Sequence, residues 1–185
     1  MKRLFLTGPI GCGKSTAISR ELGDSLKAAG GFLTLRQRDA SGRVTGFTLE
    51  APDGSRRGVF LDCSVPKAVT HPEVFSVLGA ELLHSAVHYP FIVLDEIGGV
   101  EVLDDAFMAA LEAVLQSDIP CIGVMKGLSP AGKMIRELDL DAQYLQAAEK
   151  LRSWMRQDKD TLLYECSQFD PQAAELVRQW KAKYL

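Results

Sequence analysis

The chain is 185 residues long, 46% hydrophobic and 24% charged, with a formal net charge of −3, which fits a soluble fold able to bury a sizeable core. No apolar run approaches the roughly 20 residues that span a bilayer, and the slight acidity argues against a basic nucleic-acid surface, so neither a membrane nor a nucleic-acid partner is expected. Cys12, Cys63, Cys121 and Cys166 are scattered without C-x-x-C spacing, which suggests neither a zinc site nor a disulfide framework; with the first strand starting directly after Met1-Lys2-Arg3, no signal peptide is expected and the compartment reads as reducing cytoplasm.

Leu4-Phe5-Leu6 reads as a short buried strand, and Ala17–Leu22 as helix. Between them, Gly8-Pro9-Ile10-Gly11-Cys12-Gly13-Lys14-Ser15 meets every fixed position of the phosphate-binding loop G-x-x-x-x-G-K-[ST], followed by Thr16. Glycines let the backbone approach an anion with successive N–H groups turned inward, and the following helix adds the positive end of its dipole. Lys14 is expected on the β- and γ-phosphates and the Ser15 hydroxyl on Mg²⁺. Cys12 reads either as a reactive thiol inside the loop or as a small tolerated side chain whose backbone does the work.

Residues 31–62 carry three apolar runs, Gly31–Leu35, Val44–Leu49 and Gly58–Leu61, separated by Asp39-Ala40-Ser41-Gly42 and Pro52-Asp53-Gly54. This spacing predicts an antiparallel meander inserted in an otherwise alternating α/β chain. Helix is predicted over Pro72–Val87. Phe91-Ile92-Val93-Leu94-Asp95-Glu96 then gives a strand apolar on both faces that ends in two acids. In an open α/β sheet that end faces the ligand. Asp95 is therefore the second expected Mg²⁺ ligand, opposite Ser15, and Glu96 the group that orients or deprotonates an attacking water. Further on, helices are predicted over Asp104–Leu115, Ser129–Leu138, Gln146–Gln157 and from Pro171, and strands over Pro120–Met125 and Thr161–Tyr164. No repeat or domain-sized linker is visible, so residues 1–185 read as a single domain.

Three blocks then resemble the P-loop nucleoside-triphosphatase family of bacterial, archaeal and human cancer-related members. They are Gly8–Thr16; Gly31-Phe32-Leu33-Thr34 with Arg38, Gly42-Arg43, Gly46-Phe47 and Arg57-Gly58; and Leu94-Asp95-Glu96-Ile97-Gly98-Gly99-Val100-Glu101-Val102 continuing to Phe107. The resemblance implies a RecA-like P-loop fold, a mostly parallel sheet flanked by helices, and slow Mg²⁺-dependent hydrolysis of ATP and other nucleoside triphosphates. It also marks Arg38 and Arg57 as the guanidiniums expected to reach the phosphates, whereas Arg43 and Arg56 read as solvated turn charges. Glu101 reads either as a group near the water or as a partner for an arginine, and Lys126, at the end of the strand after the acids, either as a sensor-like lysine facing the nucleotide or as a surface lysine. Two family features are missing: a Val-Gly-Lys-Tyr-like segment and Thr-x-x-Asn-Arg-Asp, whose place is taken by Cys166-Ser167-Gln168-Phe169-Asp170. The chain contains no Asn, so the Asn-Lys-x-Asp guanine-reading motif is excluded; Phe169 either stacks on a base or packs in the core. His84 and His88 lie one helical turn apart with no third ligand in the pattern. The alternatives to hydrolysis are a nucleoside or nucleotide kinase using the same loop, and a nucleotide-binding switch with only slow turnover; no protein partner is indicated.

Overall fold

Alternating side chains along three short strands decide which helices cover which face. Leu4, Leu6, Val93, Ile122 and Val124 point to one side of the sheet, and Phe5, Ile92, Leu94, Cys121 and Met125 to the other, all essentially buried. Apolar on both faces, such strands must be central and parallel, with helices above and below. The structure, a computed structural model, describes residues 1–127, 142–168 and 170–185. The predicted helix over Ser129–Leu138 and the role of Phe169 lie outside the described residues.

The described strands form one eight-stranded sheet in the order β5-β4-β3-β2-β6-β7-β1-β8. Its parallel part consists of β1 (Arg3–Thr7), β6 (Ile92–Ile97), β7 (Cys121–Met125), β8 (Thr161–Glu165) and the first residues of β2 (Gly30–Arg38). The antiparallel meander comprises β3 (Val44–Glu50), β4 (Arg57–Asp62) and a two-residue β5 (Val69–Thr70), joined to the outer half of β2. The meander is thus less an insertion than an extension: Gly30–Phe32 pair with β6, and Leu33–Arg38 continue past the end of that pairing to pair with β3.

On one face lie α1 (Lys14–Leu22) and α5 (Pro171–Tyr184), packed on Phe91, Val93, Ile122 and Val124. Asp170 caps α5, its carboxylate accepting from Gln172 N at 3.0 Å, and Trp180 Nε1 ties the helix to Lys2 O. The opposite face carries α2 (Ala80–Ala86), α3 (Asp105–Gln116) and α4 (Ala142–Gln157). Asp104 caps α3 by accepting from Phe107 N, and Phe107, Ala110, Leu111, Val114 and Leu115 form its buried stripe. A turn of π-helix at Phe75–Gly79 precedes α2. Helical periodicity does not distinguish that turn from ordinary helix, but here it aims Phe75 between Phe60 and Phe107. The rings Phe47, Phe60, Phe75, Phe107 and Phe32 form a continuous chain with centroids 4.9–6.2 Å apart. Through it the meander shares a core with the parallel strands.

Gly123, in the middle of β7, is a point where the sheet admits no side chain: a Cβ there would collide with the Leu94 carbonyl and stand 2.9 Å from the Phe5 ring. The Gly123→Ala variant is expected to lose about 3 kcal/mol of stability, the upper part of the usual range for overpacking a core. Thermal and urea unfolding measure it, and a wild-type midpoint would mean that β6 and β7 separate without cost.

Candidate nucleotide site

The loop between β1 and α1 is built from the residue types the sequence supplies. Gly8, Gly11 and Gly13 adopt φ of 126°, 81° and 94°, in or near the left-handed region that only glycine enters freely. A Cβ at Gly11 or Gly13 would point into open space, whereas one at Gly8 would strike the Cys166 carbonyl. Gly8 therefore lets β8 close against the root of the loop, where Cys166 N donates to Thr7 O at 2.8 Å. Pro9, Ile10, Gly11, Gly13 and Thr16 are exposed, while Lys14 is 7% exposed. Lys14 Nζ donates to the loop's own carbonyls, Gly8 O at 3.1 Å and Pro9 O at 2.7 Å, and lies 3.5 Å from Cys12 Sγ. The ammonium is therefore held inside the ring of backbone that a phosphate group would occupy. Burial, with Cys12 alongside, pushes the Cys166 thiol up to about 12.

The second predicted motif meets the first. Ser15 Oγ donates to Asp95 Oδ1 at 2.8 Å, joining residues 80 apart in sequence. Asp95 is 6% exposed; burial, reinforced by the charge of Glu96, pushes its carboxyl up to about 6 despite the Ser15 hydrogen bond. A hydroxyl and a carboxylate side by side are hard oxygen donors of the kind that hold Mg²⁺ together with phosphate and water, and a carboxylate so deeply buried gains from a neighbouring cation. Among the described residues, no group of three or more His, Cys, Asp or Glu is arranged to hold a metal ion. His84 and His88 lie on and just after α2.

Sequence reading assigned no role to Thr34. It comes from β2, whose register puts it beside the acids: its N–H approaches Asp95 Oδ2 at 3.3 Å and its hydroxyl donates to Asp95 O at 2.9 Å. Its only sequence signal was membership of the second family block. Glu96 follows with φ of 68°, the one described non-glycine residue with positive φ. Pairing between β6 and β7 is interrupted between Leu94 and Ile97, so the chain bulges at the two acids. A left-handed glutamate is strained, and strain of this kind concentrates at functional positions.

Beyond Glu96 the chain turns through a 3₁₀ segment, Val100–Leu103. Glu101 is 2% exposed and accepts from Gly99 N at 2.8 Å. Lys126 is only half-exposed, which favours the sensor-like reading over that of a surface lysine: Lys126 Nζ and Glu101 Oε2 stand 2.5 and 2.7 Å from the point a Gly99 Cβ would occupy. β7 lies between β1 and β6, so its end delivers Lys126 between the loop and the acids. Tyr144 Oη, from α4, donates to Gly98 O at 3.2 Å; burial, with Glu101 nearby, pushes its hydroxyl up to about 12.

The recorded contacts of the meander arginines lie within the meander and with α2. Arg38 Nη1 donates to Gly42 O at 2.5 Å within the β2–β3 hairpin, and Arg57 is exposed at the start of β4, three strands from β6. Arg43 pairs with Asp39, and Arg56 with Glu81.

With this geometry in view, comparison with known proteins is direct. The family model described as NTPase matches residues 3–157. The nucleoside-triphosphatase THEP1 of Methanosarcina barkeri is 28% identical over 160 residues, covering 82% of this chain and 91% of that protein. The protein of the same name from Thermococcus kodakarensis is 32% identical over 136 residues, covering 66% and 75%. The crystal structure of THEP1 from the hyperthermophile Aquifex aeolicus superposes with a TM-score of 0.63 at 18% identity, covering 96% of this chain and 95% of that one, a likeness of fold. An α/β sheet with a phosphate loop at its carboxyl edge, and a family match over most of the length, lead to one conclusion: this chain belongs to the NTPase family of P-loop nucleoside-triphosphatases.

Proposed function

We propose that the chain hydrolyses ATP and other nucleoside triphosphates to diphosphate and phosphate in a Mg²⁺-dependent reaction, as a single-domain cytoplasmic enzyme, at the site formed by residues 8–16, Asp95 and Glu96. The observation that carries the reading is the 2.8 Å contact of Ser15 Oγ with Asp95 Oδ1. Two motifs recognised separately meet there through the oxygens that would hold Mg²⁺. When bound, the ion neutralises and orients the phosphate oxygens. The chain's own groups supply the rest. Backbone N–H groups from Gly11 to Thr16 line the phosphates. Lys14 exchanges its bonds to Gly8 O and Pro9 O for phosphate oxygens. Glu96, beside Asp95 and held in a left-handed conformation, accepts hydrogen bonds from the attacking water and takes its proton as the bond to phosphorus forms. Arg38 and Arg57 are the proposed guanidiniums for charge that builds on the transferring group; Arg38 is the better placed, since β2 carries it four residues beyond Thr34.

Phosphate release over a panel of ribo- and deoxyribonucleoside triphosphates, with and without acceptor nucleosides, tests the reading; transfer to an acceptor in preference to water would replace hydrolysis by a kinase reaction. In the same assay, Lys14→Ala is expected to fold normally but to lose tight nucleotide binding and to hydrolyse roughly 10²-fold slower or worse, the scale seen when a positioned charge on the transition state is removed. Wild-type turnover in a folded Lys14→Ala protein would remove the loop from the site.

Metal holding and water activation separate at the two acids. Asp95→Asn is expected to weaken Mg²⁺-dependent binding and turnover together. Glu96→Gln keeps shape and binding but lowers hydrolysis by roughly 10²-fold or more, a typical general-base contribution; normal hydrolysis in that variant would transfer the role to another group.

For the arginines, single-turnover rates and nucleotide affinities of Arg38→Ala and Arg57→Ala are the measurement. Both are expected to lower kcat with little change in affinity, Arg38→Ala by the larger factor. Two wild-type rates would leave Lys14 as the only cation of this set acting on the transition state.

A further inference from the structure

Arg152 occupies a position that helical periodicity reserves for an apolar side chain. Tyr144, Ala148, Leu151 and Met155 form the buried stripe of α4, and Arg152 lies within it at 3% exposed. Its Nη2 donates to Lys126 O and approaches Thr7 Oγ1 at 3.4 Å, while its Nε is buried without a hydrogen-bond partner. No carboxylate among the described residues is recorded within ion-pair distance of it. Glu149 and Glu165 favour its charge only from further off, against burial and the like charge of Arg156. A guanidinium keeps its proton under such conditions, so among the described residues Arg152 is an interior cation without an ion-pair partner. That is costly unless something offsets it.

Its surroundings point to what does. Thr7 is the last residue of β1 and directly precedes Gly8, whose carbonyl accepts from Lys14 Nζ; Lys126 follows β7 and sends its side chain towards Gly99 and Glu101. The guanidinium therefore clamps the carboxyl ends of the two strands that carry the phosphate loop and the lysine beside it. We propose that Arg152 is a positioning residue whose charge is answered by the bound triphosphate: it binds the ends of β1 and β7 together under the loop, and its charge, which no described carboxylate meets at ion-pair distance, is balanced when the polyanion arrives. The inference rests on the nucleotide site proposed above. It adds a cation outside both motifs that acts through Thr7 and Lys126 without touching substrate.

The two roles a buried arginine can have, packing and charge, separate in a stability measurement with and without ligand. Arg152→Met removes the charge and keeps length and apolar volume; Arg152→Lys keeps the charge; Arg152→Gln keeps hydrogen bonding alone. Melting temperature and nucleotide affinity are measured for the whole chain with Mg²⁺, using ADP and a non-hydrolysable ATP analogue. Arg152→Met is expected to melt at or above the wild-type temperature without nucleotide, as when a buried ion gives way to apolar volume. It should bind the triphosphate analogue roughly 10-fold more weakly, an ordinary coupling between neighbouring sites, and lose less towards ADP, which carries less charge. Arg152→Lys should recover most of the affinity. Should Arg152→Met fail to fold, the comparison passes to Arg152→Lys against Arg152→Gln, with the lysine variant again the tighter binder. A destabilised Arg152→Met protein with wild-type affinity for both nucleotides, or lysine and glutamine variants that bind alike, would reduce Arg152 to a packing role and overturn the proposal. Wild-type protein that gains no stability from either nucleotide would instead overturn the site reading, and this inference with it.

Discussion

Everything at the nucleotide site depends on the register of three parallel strands. Leu6 of β1 is level with Val124 of β7, and Leu94 of β6 with Gly123, so Asp95 reaches the carboxyl edge almost beside the root of the phosphate loop, two strand spacings or ~10 Å away. The loop arches over the end of β7 and brings the first turn of α1 down beside β6, where the Ser15 hydroxyl meets the acid. A slip of one residue in either pairing would turn Asp95 to the opposite face of the sheet and part the two motifs. Gly123 helps prevent this by letting β6 and the Phe5 ring approach the middle of β7 more closely than any side chain would permit.

Around that edge lie most of the polar side chains buried among the described residues. Outside it, the buried interior is aliphatic and aromatic, with Arg3 bonded to Asp158 and Ser117 at the amino end and Thr48 bonded to Gln37 in the meander. Thr7, Lys14, Asp95, Glu101 and Arg152 lie together at the carboxyl edge. Charges withdrawn from water interact strongly with one another and with whatever ligand enters. The raised Asp95 carboxyl, the lysine turned onto its own loop and the unpaired Arg152 Nε all describe an edge whose charges are incompletely matched among the described residues.

How much of this was legible in the sequence follows from how local each determinant is. β1, β6 and β7 were readable because a strand buried on both faces needs an uninterrupted apolar run. α3 was readable from apolar residues at helical spacing and α5 from the proline that opens it, and the loop and the acids because phosphate and metal chemistry constrain residue types over a few adjacent positions. The strand β5, two residues long, and the π-turn at Phe75–Gly79 leave no such signature, since each exists only through its packing partners. Thr34 and Arg152 escaped for the same reason. Each is an ordinary residue on a strand or helix until register brings Thr34 onto Asp95 and packing brings Arg152 to Thr7 and Lys126 O. Arg38 and Arg57 mark the opposite limit: a family motif gives them importance, but Arg38 bonds to Gly42 O within its own hairpin and Arg57 is exposed on β4, so their part in the site rests on the motif.

At Glu96 folding and chemistry pull in different directions. A φ of 68° suits glycine, and asparagine nearly as well, so the fold alone would be more stable with either there. Glutamate sits here at a conformational cost. Under the proposed role in water activation, that cost marks a point where stability and activity oppose each other directly: glycine at this position would make the protein sturdier while removing the carboxylate.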